Sequence, residues 1–475
     1  MNNPNIIFLN TDQQSWEALS ARGNEWIDTP NLDRLHRNGV TFTRSYCSDP
    51  VCGPTRASWV TGRYTSEHGV VLNGVPIHND IPDLGQILNR NGYHAAHAGK
   101  WHVAGREMSD SFHDIYLGRV PIGASGGQIY DPATTHAAID FLLHCDDAKP
   151  FFLELGVVNP HDICHFGSRY GSEDIPDDLG TRLIPSDELP PVFPNSSFDD
   201  SEVYTHTVFR RGRGAMYHDE TNQVLQQWDE LNWRYYRWNY YRFIEEADRE
   251  IGLVLDVIEQ SPWRDDTLIV FSPDHGDACG RHNTFQKFNL YEESVRVPLI
   301  VSSFGDRFGI EKGARDTGHF VSAVDLMPTV LDYAGVPVPE TVQGRSVRPL
   351  VEGRKVADWP EYVYIESNYW SRAVVTDRYK YITEYVPKGT DEDWVPPGPD
   401  TNERGVEQLF DLGNDPGETV NLVADPDHAA GLESCRKLLV DHEARLHRRR
   451  INPGHDAQIR HSAKRIREYY RQRGA

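Results

Sequence analysis

Several separated stretches of this 475-residue chain hold side chains that could do chemistry together. Asp12-Gln13 and Asp274-His275 offer carboxylate oxygens, an amide oxygen and an imidazole, a set compatible with a divalent cation such as Ca²⁺, Mg²⁺ or Mn²⁺. Cys52-Gly53-Pro54-Thr55-Arg56 brings a thiol, which is a modest nucleophile until its pKa is lowered. In Gly99-Lys100-Trp101-His102, residues two apart on an extended segment point the same way, so Lys100 and His102 can enter one pocket. Taken singly these signals are weak: an Asp-His pair is more often a capped loop and a Lys-x-His a solvated edge. Their value lies in the combination.

The Cys52 stretch, followed by Thr61-Gly62-Arg63, resembles the sulfatase motif Cys-X-Pro-Ser/Thr-Arg, whose cysteine is oxidised after translation to formylglycine. Gly99-Lys100-Trp101-His102 is similar to the family's Gly-Lys-Trp-His, Asp12 to its acidic pair near the N-terminus, and Asp274-His275-Gly276-Asp277 to its late Asp-Asn/His-Gly-Asp/Glu stretch. His161 matches a Pro-His position and Lys287 a second sulfate-binding lysine, while Asp325-Leu326, Gly344, Lys380-Tyr381 and Asp415-Pro416 extend the likeness over most of the chain. The resemblance implies a sulfatase acting on a sugar, choline-like or aryl sulfate, matured by a formylglycine-generating enzyme. Its metal is expected to be held by Asp12, Gln13, Cys52, Asp274 and His275, with Ca²⁺ first and Mg²⁺ or Mn²⁺ as alternatives. In the mechanism that the resemblance implies, one hydroxyl of the hydrated aldehyde attacks sulfur, with Lys100, Lys287 and Arg56 balancing charge. His161 with Lys287 protonates the leaving oxygen, and His102 then takes the proton of the second hydroxyl so that sulfate departs. Most sulfatases have two consecutive Asp residues where this chain has Asp12-Gln13, and many have Asn where it has His275. That combination also resembles phosphonate monoester and phosphodiester hydrolases of the same superfamily, which stand as the rival reading beside a sulfate-ester-binding protein without catalysis.

The elements that must position these groups read as an α/β fold: a large doubly wound, mostly parallel sheet flanked by helices, with a smaller C-terminal antiparallel sheet. Apolar strands are predicted at 5–10, 95–98, 151–158, 267–272 and 297–301, three of them stopping at the polar clusters Thr11-Asp12-Gln13, Asn159-Pro160-His161 and Pro273-Asp274-His275. Ligands of such sheets gather beyond the carboxyl ends of the strands. Helices are expected at 29–39, 82–91, 133–144 and 233–260, the aromatics of the last as core. Short strands at 362–366, 371–375 and 379–383 place a loose boundary between a catalytic unit, 1–354, and a C-terminal unit, 355–475, with a terminal helix. Segments 167–213 and 368–372, His319 and the late arginines are expected to shape the substrate pocket. The Arg448-Arg449-Arg450 stretch reads first as part of a solvated helix or tail.

Asp and Glu outnumber Lys and Arg by 71 to 48, so no general positive field gathers nucleic acid, and an anionic substrate must meet local positive charge. No apolar run reaches the about 18 residues of a membrane span. Six cysteines without CxxC spacing fit reduced thiols, and the absence of a signal peptide in the chain leads to the expectation of a cytoplasmic protein, with homo-oligomerisation left open.

Overall fold

The structure, a computed structural model, describes residues 3–115, 126–145, 149–164, 184–196, 201–210, 228–388, 397–399, 401–452 and 454–473. Its main sheet has eight strands, in the spatial order His113–Asp114, His94–Gly99, Phe151–Pro160, Asn5–Asp12, Thr267–Phe271, Leu299–Ser302, Gly39–Phe42 and Ala314–Asp316. The central strands are apolar without alternation because both faces are covered. Ile6, Phe8 and Val270 pack on one side with Trp59, Leu88 and Val330, while Ile7, Leu9 and Phe271 pack on the other with Phe141, Ile251 and Leu255. The predicted helices form as Pro30–Arg37, Leu84–Arg90, Gly127–His144 and Glu230–Gln260, the second closed at its start by a reciprocal Asp83–Gln86 cap.

Leu299–Ser302 runs antiparallel to Thr267–Phe271, pairing Val301 with Val270. The chain between them holds only the four-residue helix Glu292–Val295 and a short 3₁₀ turn, not the crossover helix that a parallel return takes. What fills that connection is the site.

Tyr362–Ser367, Ser371–Thr376, Tyr379–Val386 and Glu403–Asp411 make a separate antiparallel sheet. The fourth strand was not expected from the sequence, since its first half is polar and partly exposed. One face of this sheet packs through Val363, Ile365 and Phe410 on Tyr46, Val295 and Phe320; the other receives Leu432, Cys435 and Leu439 of the Ala429–Glu443 helix. The segment from 444 to 473 corrects the expectation of a solvated tail. Arg449 N–H donates to Ser66 O, Asn452 donates to Pro76 O and Ile77 O, and the Ala457–Gln472 helix buries Ile459, Ile466 and Tyr470 against Val71, Trp370 and Tyr385. No disulfide joins any of the six cysteines, and no helix among the described residues is long and apolar enough to cross a membrane.

Candidate active site

Four neighbouring parallel strands deliver the site from their carboxyl ends. Lys100 follows His94–Gly99, His161 follows Phe151–Pro160, Asp12 ends Asn5–Asp12, and Asp274-His275 follow Thr267–Phe271. Two glycines make the approach close enough. A Cβ at Gly99, whose φ is +97°, would lie 2.1 Å from Gly156 O, and one at Gly276 would lie 1.9 Å from Glu293 O. Cys52 is the first residue of the Cys52–Thr61 helix, where the helix dipole favours negative charge, and Asn73 fixes that end by accepting from Gly53 N–H at 2.9 Å.

Cys52 Sγ lies 2.9 Å from Lys287 Nζ, 3.3 Å from His275 Nε2 and 3.7 Å from Asp12 Oδ1. Arg56, one turn along the helix and 2 % exposed, donates Nε to Asp274 Oδ2 at 3.0 Å and Nη2 to Asp12 Oδ2 at 3.2 Å. Its Nη1 bonds Asn10 Oδ1 and Lys100 O at 3.0 and 2.9 Å, and Lys100 Nζ reaches Asp12 Oδ2 at 2.6 Å. The Oδ2 atoms of both carboxylates are therefore held by cations. Asp12, Cys52, Asp274 and His275 each have a ligand atom within 4.8 Å of the others, and all four are buried. His275 Nδ1 faces Gly276 O at 3.0 Å, and a carbonyl only accepts, so Nδ1 carries a proton and Nε2 is the nitrogen turned to the pocket, where it can ligate a cation once deprotonated.

The electrostatics agree with this geometry. Burial raises Asp12, yet the fixed charges of Lys100, Lys287 and Arg56 hold it well below the usual carboxylate range. Asp274, buried beside Asp12, is pushed up to about 6 despite His275 and Arg56. Two buried carboxylates that converge are what a divalent cation would relieve, so the donor set fits one. Burial and Asp12 oppose ionisation of Cys52, but Lys100, Lys287 and His275 outweigh them and bring its thiol well below the ordinary value. Lys287 stays charged because Cys52 and Asp12 overcome its burial. Burial, Lys100 and Lys287 hold His161 well below the ordinary imidazole value. His102, half-buried with φ +60°, hydrogen-bonds the Cys52 side chain and is lowered by burial.

All the residues expected at the site thus meet in one pocket. Gln13 stands beside the four ligand candidates but commits its amide to neighbours, Oε1 accepting from Lys287 Nζ at 2.8 Å and Nε2 donating to Asp277 Oδ2 at 2.6 Å. Sequence reasoning missed the residues that hold it there. Tyr236 OH donates to Asp277 Oδ2 at 2.9 Å, and Tyr240 OH donates to Gln13 O at 2.7 Å while accepting from Ser15 N–H at 2.8 Å. These two were read only as core; the signal was that they are Tyr rather than Phe, since a buried hydroxyl needs a partner. Of the proposed pocket shapers, His319 pairs with Asp316 and Arg449 with Asp80, neither with a site residue. Arg372 is buried against Glu443, whereas Asn368 donates to Phe288 O, next to Lys287. Of segment 167–213, only residues 184–196 and 201–210 lie among the described residues.

A buried pocket in which ammonium and guanidinium groups surround a nucleophile position suits hydrolysis of a small oxyanion ester. The chain belongs to the sulfatase family, whose members are sulfuric ester hydrolases: the Sulfatase family model matches residues 4–336, and a model for N-sulphoglucosamine sulphohydrolase, C-terminal, matches residues 280–445. It is similar to an arylsulfatase of Clostridium perfringens, 27 % identical over 92 % of this chain and 94 % of that one. It is also similar to an N-acetylglucosamine-6-O-sulfatase of Bacteroides thetaiotaomicron, 27 % identical over 92 % of this chain and 85 % of that one. The fold is shared with a phosphonate monoester hydrolase of Agrobacterium radiobacter, TM-score 0.72 at 22 % identity, covering 93 % and 95 % of the two chains.

Proposed function

We propose that the protein hydrolyses an organic sulfate ester, with sulfated saccharides the first class to test, through a formylglycine made from Cys52 by a formylglycine-generating enzyme. The observation that carries this reading is Cys52 at a helix N-terminus, 2.9 Å from Lys287 and 3.3 Å from His275, with Asp12 and Asp274 beside it. The Cys52 sulfur stands where the hydrated aldehyde's oxygens would be, and that hydrate supplies an oxygen nucleophile plus a second hydroxyl for release. Asp12, Asp274 and His275, with Gln13 beside them, would hold a divalent cation, Ca²⁺ first, which supplies Lewis-acid polarisation of the sulfate.

Lys100, beside Asp12, and Lys287, beside Cys52, bind the sulfate oxygens, and Arg56 holds Asp12 and Asp274 in place while neutralising them. Lys287 keeps its proton in this pocket. His161 takes one up only when a bound anion weakens the pull of the two lysines, so donation to the leaving oxygen is coupled to substrate occupancy. His102, half-buried and neutral, is the base for the second hydroxyl. The name of the N-acetylglucosamine-6-O-sulfatase supports a saccharide.

The Asp12-Gln13 with Asp274-His275 set keeps a second reading, hydrolysis of phosphonate monoesters or phosphodiesters, in play. A panel of defined-position sulfated saccharides, an aryl sulfate, choline sulfate, an aryl phosphonate and a phosphodiester separates the two. The sulfate reading expects the highest kcat/KM on a sulfate ester; a phosphorus substrate at the top of the panel overturns it.

A further inference from the structure

Outside the catalytic pocket, His282, Glu293 and Glu418 form a second buried group with one ligand atom from each within 4.8 Å of the others. His282 and Glu293 belong to the connection between Thr267–Phe271 and Leu299–Ser302, and Glu418 follows the Glu403–Asp411 strand of the other sheet. His282 Nε2 stands 3.7 Å from Glu293 Oε1. Asn195 Nδ2, a group that only donates, lies 3.4 Å from the same His282 nitrogen, which therefore carries a lone pair. Glu293 Oε1 is buried without a hydrogen-bond partner in a residue 4 % exposed. An ionised oxygen left so is costly.

The nearby positive charge is already shared out. Lys380 Nζ serves both Glu418 Oε1 at 2.9 Å and Glu292 Oε1 at 3.1 Å, and Arg281 is paired with Glu17 at 2.5 Å. Burial, against Arg281 and with Glu418 adding to it, pushes Glu293 up to about 8, the behaviour of a carboxylate with too little cation around it. Solvent reaches this corner, since Glu293, Asn195 and Gly417 line a groove of about 940 Å³.

We propose that His282 Nε2, Glu293 Oε1 and Glu418 Oε1 bind a second divalent ion, Zn²⁺ in the first instance, with water completing its coordination. One imidazole and two carboxylates are ligands Zn²⁺ accepts, and three protein ligands leave a fourth position open. Its role is structural. It pins to the C-terminal sheet a loop in which Cys279, His282, Asn283, Gln286 and Phe288 all have positive φ and from which Lys287 projects. Such a backbone persists only when its surroundings hold it.

The test is Zn²⁺ titration of the full chain after chelator dialysis, counting bound zinc by elemental analysis and following thermal unfolding. Wild type is expected to bind one Zn²⁺ more than Glu293→Gln and than Glu418→Gln, and to gain a zinc-dependent rise in melting temperature that both variants lose. Two separate variants guard against one failing to fold, and apo melting checks each. Asp274→Asn, run alongside, removes only the equivalent at the catalytic pocket, so failure of that site registers separately. Equal zinc content and equal zinc-dependent melting in wild type and both glutamine variants would overturn the proposal and leave a proton shared by Glu293 and His282 in its place.

Discussion

Replacing Lys287 by Met keeps the length of the side chain and deletes its charge. Lys287 Nζ lies 2.8 Å from Gln13 Oε1, 2.9 Å from Cys52 Sγ and 3.8 Å from Asp12 Oδ1, in a residue 1 % exposed. A unit charge about 4 Å away contributes about 4 kcal/mol at an effective dielectric constant near 20. Losing one preorganised transition-state donor costs about 3–4 kcal/mol by comparison, so kcat should fall by about 10²–10³. Lys287→Arg should not restore it, because a planar guanidinium does not fit a closed site built round an ammonium. A second signature follows from His161, which Lys287 helps to hold down. Without that positive charge His161 binds its proton more tightly, so the limb of the kcat/KM profile it controls moves to higher pH. Steady-state kinetics across pH on fully matured protein, with a thermal melt to confirm folding, measures both. A variant within threefold of wild-type kcat and with an unmoved profile would refute the role given to Lys287.

Three further outcomes are expected. Tyr240→Phe strands the buried Ser15 N–H and removes the donor to Gln13 O, so denaturant unfolding should show a loss of about 1–3 kcal/mol, accompanied by a drop in kcat that a remote core change would lack. Glu154, 3 % exposed and bonded to Asn10 behind Arg56, is raised by burial from 4.5 to about 7. The folded state then holds this proton longer than the unfolded state, so the contribution of Glu154 to stability falls as pH climbs from 4.5 to about 7. Glu154→Gln should flatten that slope by about 3 kcal/mol in unfolding measured at pH 4.5 and 8, and an unchanged slope would count against it. Chelation should abolish turnover of wild type reversibly, and the ion that best restores it, Ca²⁺ or Mn²⁺, reports the weight of the His275 nitrogen among the ligands.

Asp12, Lys100, His161 and Asp274 were legible in the sequence because each sits in a short stretch at the end of an apolar strand, whereas Cys52, Arg56 and Lys287 were legible only through motif resemblance. Parallel-sheet topology then brings such ends together whatever their separation in the chain. Less legible was anything that depends on a partner distant in sequence. The antiparallel turn into Leu299–Ser302 is decided by the lack of a crossover helix, whereas the apolar run itself suits either direction. The Glu403–Asp411 strand owes its pairing to the Tyr379–Val386 strand beside it and shows little pattern of its own. Tyr236 and Tyr240 have the spacing of core residues, and only the fold shows that their hydroxyls end on Asp277 and Gln13. The late arginines carry no code for where they dock, and Arg449 docks on Asp80.

Peptide mass spectrometry at position 52, paired with turnover on the same preparations, tests the central claim most directly. Coexpression with a formylglycine-generating enzyme should yield a peptide in which one oxygen replaces the thiol sulfur and two hydrogens, and specific activity should rise in proportion to that fraction. Full activity in a preparation whose Cys52 is wholly unmodified would contradict the account.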